Sequence, residues 1–131
     1  MQRTTIITAI AHESRKSLQF LEALSDARAA DATRSQADPL NGVILRRRRN
    51  LAVLRTLSRA EGGERTQPPA WSPAQVDADM VIAAEARLLA HLERQLARPD
   101  LPDDLRALLT DHREDVLQAV LILPRIRDRN T

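Results

Sequence analysis

Apolar residues recur every three to four positions in four long stretches of this chain, and each stretch is bounded by proline, glycine or a run without periodicity. Such spacing stacks side chains on one face of a helix and differs from the strict alternation of a half-buried strand. The first stretch spans residues 4–30, with Ile6, Ile10, Ser17, Phe20, Leu21 and Leu24 on one line. Residues 31–36 have no period, and Asp38-Pro39 then supplies a capping acceptor followed by a residue already at helical φ. The second stretch, 39–61, carries Leu40, Val43, Ile44, Leu51, Leu54 and Leu57, and Gly62-Gly63 offers a left-handed stop after it.

The chain from 62 to 72 holds two adjacent prolines and forms the longest linker. Ser72-Pro73-Ala74-Gln75 reads as a capping box that opens a third helix over 73–97, with Trp71 placed to staple onto its first turns. Its stripe is Val76, Met80, Val81, Ala84, Leu88, Leu92 and Leu96. Asp103 and Asp104 complement the positive end of a fourth helix over 102–123, which carries Leu105, Leu108, Leu109, Val116, Ala119, Val120 and Leu123. Pro124 cannot donate to the carbonyl four residues back, so the helix kinks or ends there and 124–131 becomes a basic tail.

Four amphipathic helices of near-equal length in 131 residues predict one domain, an all-α four-helix bundle. With one Phe, one Trp and no Tyr, the core must be built from Leu, Ile, Val and Ala. The two short connections make helices one and two, and helices three and four, antiparallel neighbours. The linker between helices two and three could just span the bundle, giving one long crossover as in ferritin-like folds, or it could loop back into a simple up-down-up-down order.

The chain has no cysteine, which excludes disulfides, thiol nucleophiles and thiolate metal sites. No apolar run reaches the 18 to 20 or so residues that cross a bilayer, and the N-terminus lacks the layout of a signal peptide, so a cytoplasmic setting without membrane association is expected. The pI of 10.3 overstates the charge. The net charge is only +2, because 19 of the 20 basic residues are Arg and stay charged to about pH 12.

The segments Ala84-Glu85-Ala86-Arg87-Leu88-Leu89 and Asp104-Leu105-Arg106-Ala107-Leu108-Leu109, with the short turn between their helices, resemble a family of small ferritin-like bacterial proteins, four-helix-bundle domains of unknown function. The similarity covers about 76–126, while over the first two helices only the lengths and the Gly-Gly linker match. The resemblance implies a crossover bundle, a distant relation to carboxylate-bridged metal proteins and a stress-associated setting, with no defined activity.

Ferritin-type di-iron chemistry needs a carboxylate from each of two helices and Glu-x-x-His from each of the other two. No Glu-x-x-His occurs here, and helix two has no carboxylate between Pro39 and Ala60, which argues against a competent di-iron site. Polar residues nevertheless interrupt the stripes near mid-helix: Glu13, Arg47, Glu85 and His112. One reading makes Glu13, Glu85 and His112, with Asp115 three residues from His112, ligands of a divalent metal. The other makes all four a buried polar network in which Arg47 pairs with Glu85 or Glu13, and His112 with a carboxylate, selecting helix register. The second is preferred because Arg47 on the stripe would repel a cation. His12 and His91 fall beside the stripes and read as half-exposed surface residues.

Arg46, Arg47, Arg48 and Arg49 are a nucleic-acid candidate, but four consecutive helical positions fan through about 300° and cannot form one phosphate-tracking face. Stacking aromatics are also scarce, so a solvated face is preferred. Leu121 and Ile122 off the core line, with Ile126 beyond Pro124, suggest a dimer through the end of helix four. No nucleophile, phosphate loop or cofactor site is evident. The leading expectation is a non-enzymatic interaction or stress-associated bundle that forms homo-oligomers or binds a protein partner. A metal-binding protein and a nucleic-acid binder are the alternatives.

Overall fold

The computed structural model describes residues 3–29, 39–60 and 76–129. Within them lie four helices, α1 (Arg3–Ala29), α2 (Pro39–Ala60), α3 (Ala78–Leu96) and α4 (Asp103–Arg129), and no strand. Residues 30–38 and 61–75 lie outside the described set, and with them the Asp38 cap, Gly62-Gly63, Trp71 and the Ser72 to Gln75 capping box.

The core is aliphatic. Ile7, Ile10 and Leu21 of α1, Val43 and Leu54 of α2, Val81, Leu88 and Leu92 of α3, and Leu105, Leu109, Val116 and Leu123 of α4 are at most 1% exposed. These positions recur at helical spacing, so each helix buries one stripe, and burial of apolar area drives the assembly at about 25 cal/mol per Å². Met80 departs from the expected stripe and is 39% exposed. It lies in the first turn of α3, one position off the buried line that runs through Ala78 and Val81.

Cross-helix pairs define the arrangement. Glu22 pairs with Arg48, while Arg15 and Arg55 lie close enough to repel, so α1 and α2 run antiparallel. Ser17 bonds Glu85 and Glu13 acts on His91, so α1 and α3 are antiparallel too. Arg3 bonds Asp104 and Ser14 bonds His112, so α1 and α4 run the same way. Therefore α2 and α3 point in one direction and α1 and α4 in the other. Close backbone approaches join α1 to α2 and α3, and α4 to α2 and α3, leaving α1/α4 and α2/α3 as the diagonals. Since α2 and α3 are parallel, the chain between residues 60 and 76 must connect opposite ends of the bundle, and the architecture has one long crossover.

Two boundaries correct the sequence expectation. Helix α3 starts at Ala78, not residue 73, because Val76 and Asp77 are non-helical and the Asp77 carboxylate accepts from Met80 N at 2.9 Å. That bond satisfies one of the orphan donors of the first turn. Helix α4 does not stop at Pro124 but continues to Arg129, so 124–129 is not a tail. Ile126, 2% exposed, extends the core line past the proline, and its burial helps offset the missing backbone bond. Ile126 is therefore unavailable to a dimer at that end, although Leu121 is 64% exposed. The turn between α3 and α4 is locked by Arg106, whose guanidinium donates to Leu96 O and Arg98 O, both at 2.8 Å, satisfying carbonyls at the end of α3.

Candidate functional site: a charged centre inside the bundle

At mid-height all four helices contribute polar side chains to the core. Arg47, on α2 between Ile44 and Leu51, is 0% exposed, and its guanidinium fork meets Glu85 of α3 with Nη1 to Oε2 at 2.7 Å and Nη2 to Oε1 at 2.6 Å. Its Nε donates to Asp115 Oδ2 of α4 at 2.9 Å. Ser17 of α1 donates to Glu85 Oε2, and Asn50 of α2 donates to Asp115 Oδ2 at 3.2 Å. Beside this chain, Ser14 Oγ of α1 and His112 Nε2 of α4 share a hydrogen bond of 2.9 Å along the other diagonal.

Arg47 suits this position chemically. Its planar fork binds one carboxylate with two donors and a second with the remaining Nε–H, which a lysine ammonium could not reproduce in that geometry. Burial would lower the Arg47 pKa, but the hydrogen bonds and charges of Glu85 and Asp115 outweigh it and raise the value. The His112 imidazole is pushed down to about 4, by burial first and by the Arg47 cation second, with Asp115 acting in the opposite direction. It is therefore neutral at physiological pH. Asp115 Oδ1 is buried without a hydrogen-bond partner among the described residues, so the centre is incompletely satisfied at that atom.

The predicted polar residues are thus divided. Arg47, Glu85 and His112 are gathered at the centre, whereas Glu13 is half-buried and acts on His91 of α3. His91 is itself half-buried, its pKa lowered by burial and by Arg94. His12 is exposed. Glu13, Glu85 and His112 do not form one ligand set, and among the described residues no three His, Cys, Asp or Glu side chains are placed to hold a metal ion. Most of the donors that a metal would need are engaged: Glu85 by Arg47 and Ser17, Asp115 Oδ2 by Arg47 and Asn50, and His112 Nε2 by Ser14, which leaves Asp115 Oδ1 as a lone buried oxygen.

Sequence reasoning missed two partners. Periodicity places Ser17 on the apolar stripe and gives Ser14 no mark, yet both are buried and each bonds a polar side chain on another helix. The signal was available: two serines three residues apart on the buried face of a helix flanked by Ile10 and Leu21. Ser14 and His112 also have the separation of a nucleophile and its base. The pair is buried, at 0% and 1% exposure, and Asp115 Oδ2 is directed to Arg47 and Asn50 rather than to the His112 ring.

The arginine run is split by the helix. Arg47 is buried, Arg48 pairs with Glu22 at 2.8 Å, and Arg46 and Arg49 share a groove with Asp111 and Glu114. The four side chains therefore present no common cationic face.

Fold and site together define a class: an all-α four-helix bundle with one long crossover and an arginine-centred polar core. Comparison of the chain with family models, curated proteins and solved structures finds no match. Among the described residues no helix is long and apolar enough to cross a membrane.

Proposed function

We propose that this is a non-enzymatic helical bundle of ferritin-like connectivity that acts through its surface as an interaction protein, its charged centre serving to fix how the four helices assemble. The observation that carries the reading is the place of Arg47. A permanent cation sits between the buried Glu85 and Asp115 carboxylates and uses both oxygens of Glu85, so these side chains are turned toward a guanidinium. The long crossover supports the ferritin-like part of the proposal, and the stress-associated setting rests on the family resemblance alone.

The test is elemental analysis and thermal unfolding of the purified protein with and without Fe(II), Mn(II) and Zn(II), alongside a mobility assay with short duplex and single-stranded DNA. The expected result is no stoichiometric metal, an unfolding midpoint unmoved by the ions, and no salt-sensitive DNA shift. Stoichiometric metal lost in Glu85→Gln or His112→Asn would overturn the reading in favour of a metalloprotein. A salt-dependent shift abolished by Arg46→Ala/Arg49→Ala would overturn it in favour of nucleic-acid binding.

A further inference from the structure

We infer that the α2/α4 face is a self-complementary surface on which a second copy of this chain docks, related by a two-fold axis parallel to the helices. This names the partner for the surface role proposed above and rests on that reading.

The face is charged in an ordered way. Arg46 and Arg49 project from α2, and Asp111 and Glu114 from α4, around a groove of about 350 Å³. All four are exposed. Among the described residues none of the four takes part in an ion pair or hydrogen bond, in contrast to Arg47 and Arg48 of the same run. One rim of the face is thus cationic, the other anionic, and both are unpartnered.

Toward the end of α2 and the start of α4 the face becomes apolar. Val53, Leu57, Ala60 and Leu108 line an adjoining groove of about 500 Å³, and Val53 is 43% exposed. At the opposite end, beyond the acidic pair, α4 carries Leu121, the most exposed large apolar side chain among the described residues at 64%. Apolar surface at both ends of a charged middle is a layout that burial against a partner would complete.

The occupant follows from symmetry. A two-fold axis parallel to the helices lays α2 of one protomer over α4 of its partner and keeps each residue at its own height. Arg46 and Arg49 then face the partner's Asp111 and the partner's Glu114, and the same pairing repeats on the other side. A two-fold axis across the helices would set α2 on α2 and oppose arginine to arginine, so charge selects the first arrangement. Over the roughly 33 Å length of α2, with α4 about 9 Å away, the face covers roughly 600 Å² in projection, near the area per partner of an ordinary specific interface.

The test is sedimentation equilibrium on the full chain with paired charge reversals. The wild type is expected to dimerise, and R46E/R49E and D111R/E114R each to be monomeric with unchanged helical circular dichroism. An equimolar mixture of the two variants is expected to recover the dimer, because each then presents to the other the charges it lost. A monomeric wild type overturns the inference, including the case where its groove captures an amphipathic helical peptide instead. A dimer that survives both reversals, or variants that stay monomeric when mixed, also overturns it. Any of these results leaves the metal and DNA tests of the preceding section unaffected, so the two proposals fail separately.

Discussion

Arg47 of α2 and Glu85 of α3 form a doubly hydrogen-bonded pair, at 2.7 and 2.6 Å, across a diagonal of the bundle where the two backbones do not come close. A fully buried ion pair gains little net stability, because desolvation consumes most of the Coulombic attraction. What it does supply is geometry. The fork meets the carboxylate at one height and one rotation of each helix, and the links on to Ser17 and Asp115 bring α1 and α4 to the same level. An aliphatic core of Leu, Ile and Val has no comparable means of rejecting a slipped register.

Removing one member of this centre should therefore cost far more than removing all of it. Arg47→Met leaves Glu85 and Asp115 buried without their cation, and a loss of about 3–5 kcal/mol is expected. Arg47→Met/Glu85→Leu/Asp115→Leu should be much more stable than Arg47→Met alone, as measured by urea unfolding. A triple variant whose loss equals the sum of its single substitutions would show that the residues act independently.

The protein should weaken on mild acidification through His112. Its imidazole has a pKa of about 4 when folded, against an ordinary 6.5, so between those values the unfolded chain binds a proton that the folded chain refuses. Stability then rises with pH across this window: the contribution is complete above about pH 6.5, and roughly 3 kcal/mol is lost as pH falls to about 4. The groups that face the ring are Arg47, which adds to the shift, and Asp115, which opposes it. Denaturation midpoints measured from pH 7.5 to 4 should slope downward in the wild type and flatten in His112→Gln. An equal slope in both would assign the effect to other residues.

Asp77 should be the cap on which α3 depends. Its side chain accepts from Met80 N at 2.9 Å, and Asp77→Ala should lower stability by about 1 kcal/mol, whereas Asp77→Asn should retain most of it. Equal losses in the two variants would point to the charge of Asp77 at the helix N-terminus rather than to the cap bond.

Pro124 should be a site of easy stabilisation. It interrupts a helix that continues to Arg129, so Pro124→Ala restores a backbone donor and should raise the melting temperature, with a ceiling of about 3 kcal/mol. A lower melting temperature would mean that the proline shapes the packing of Leu123 or Ile126, both buried beside it.

Much of this architecture was legible in the order of residues. The stripes of Ile6, Ile10 and Leu21, of Leu40, Val43 and Leu54, and of Leu88 and Leu92 mark the buried faces, because helical periodicity is a local property that burial then uses. The same periodicity marked Arg47, Glu85 and His112 as polar residues on apolar lines. Local signals were less reliable at helix ends. The box at Ser72 competed with Asp77, and Pro124 was overridden because Ile126 gains burial on the far side of it. The direction of α2 relative to α3 was not decided by any local signal, since linker length permits either topology. Nor were the partners within the centre. Arg47 could have met Glu13 as readily as Glu85, and Ser14 and Ser17 carry no sequence mark of the residues they bond. Those choices depend on which helices lie diagonal to one another and at what height, which is settled only when all four stripes close on one core.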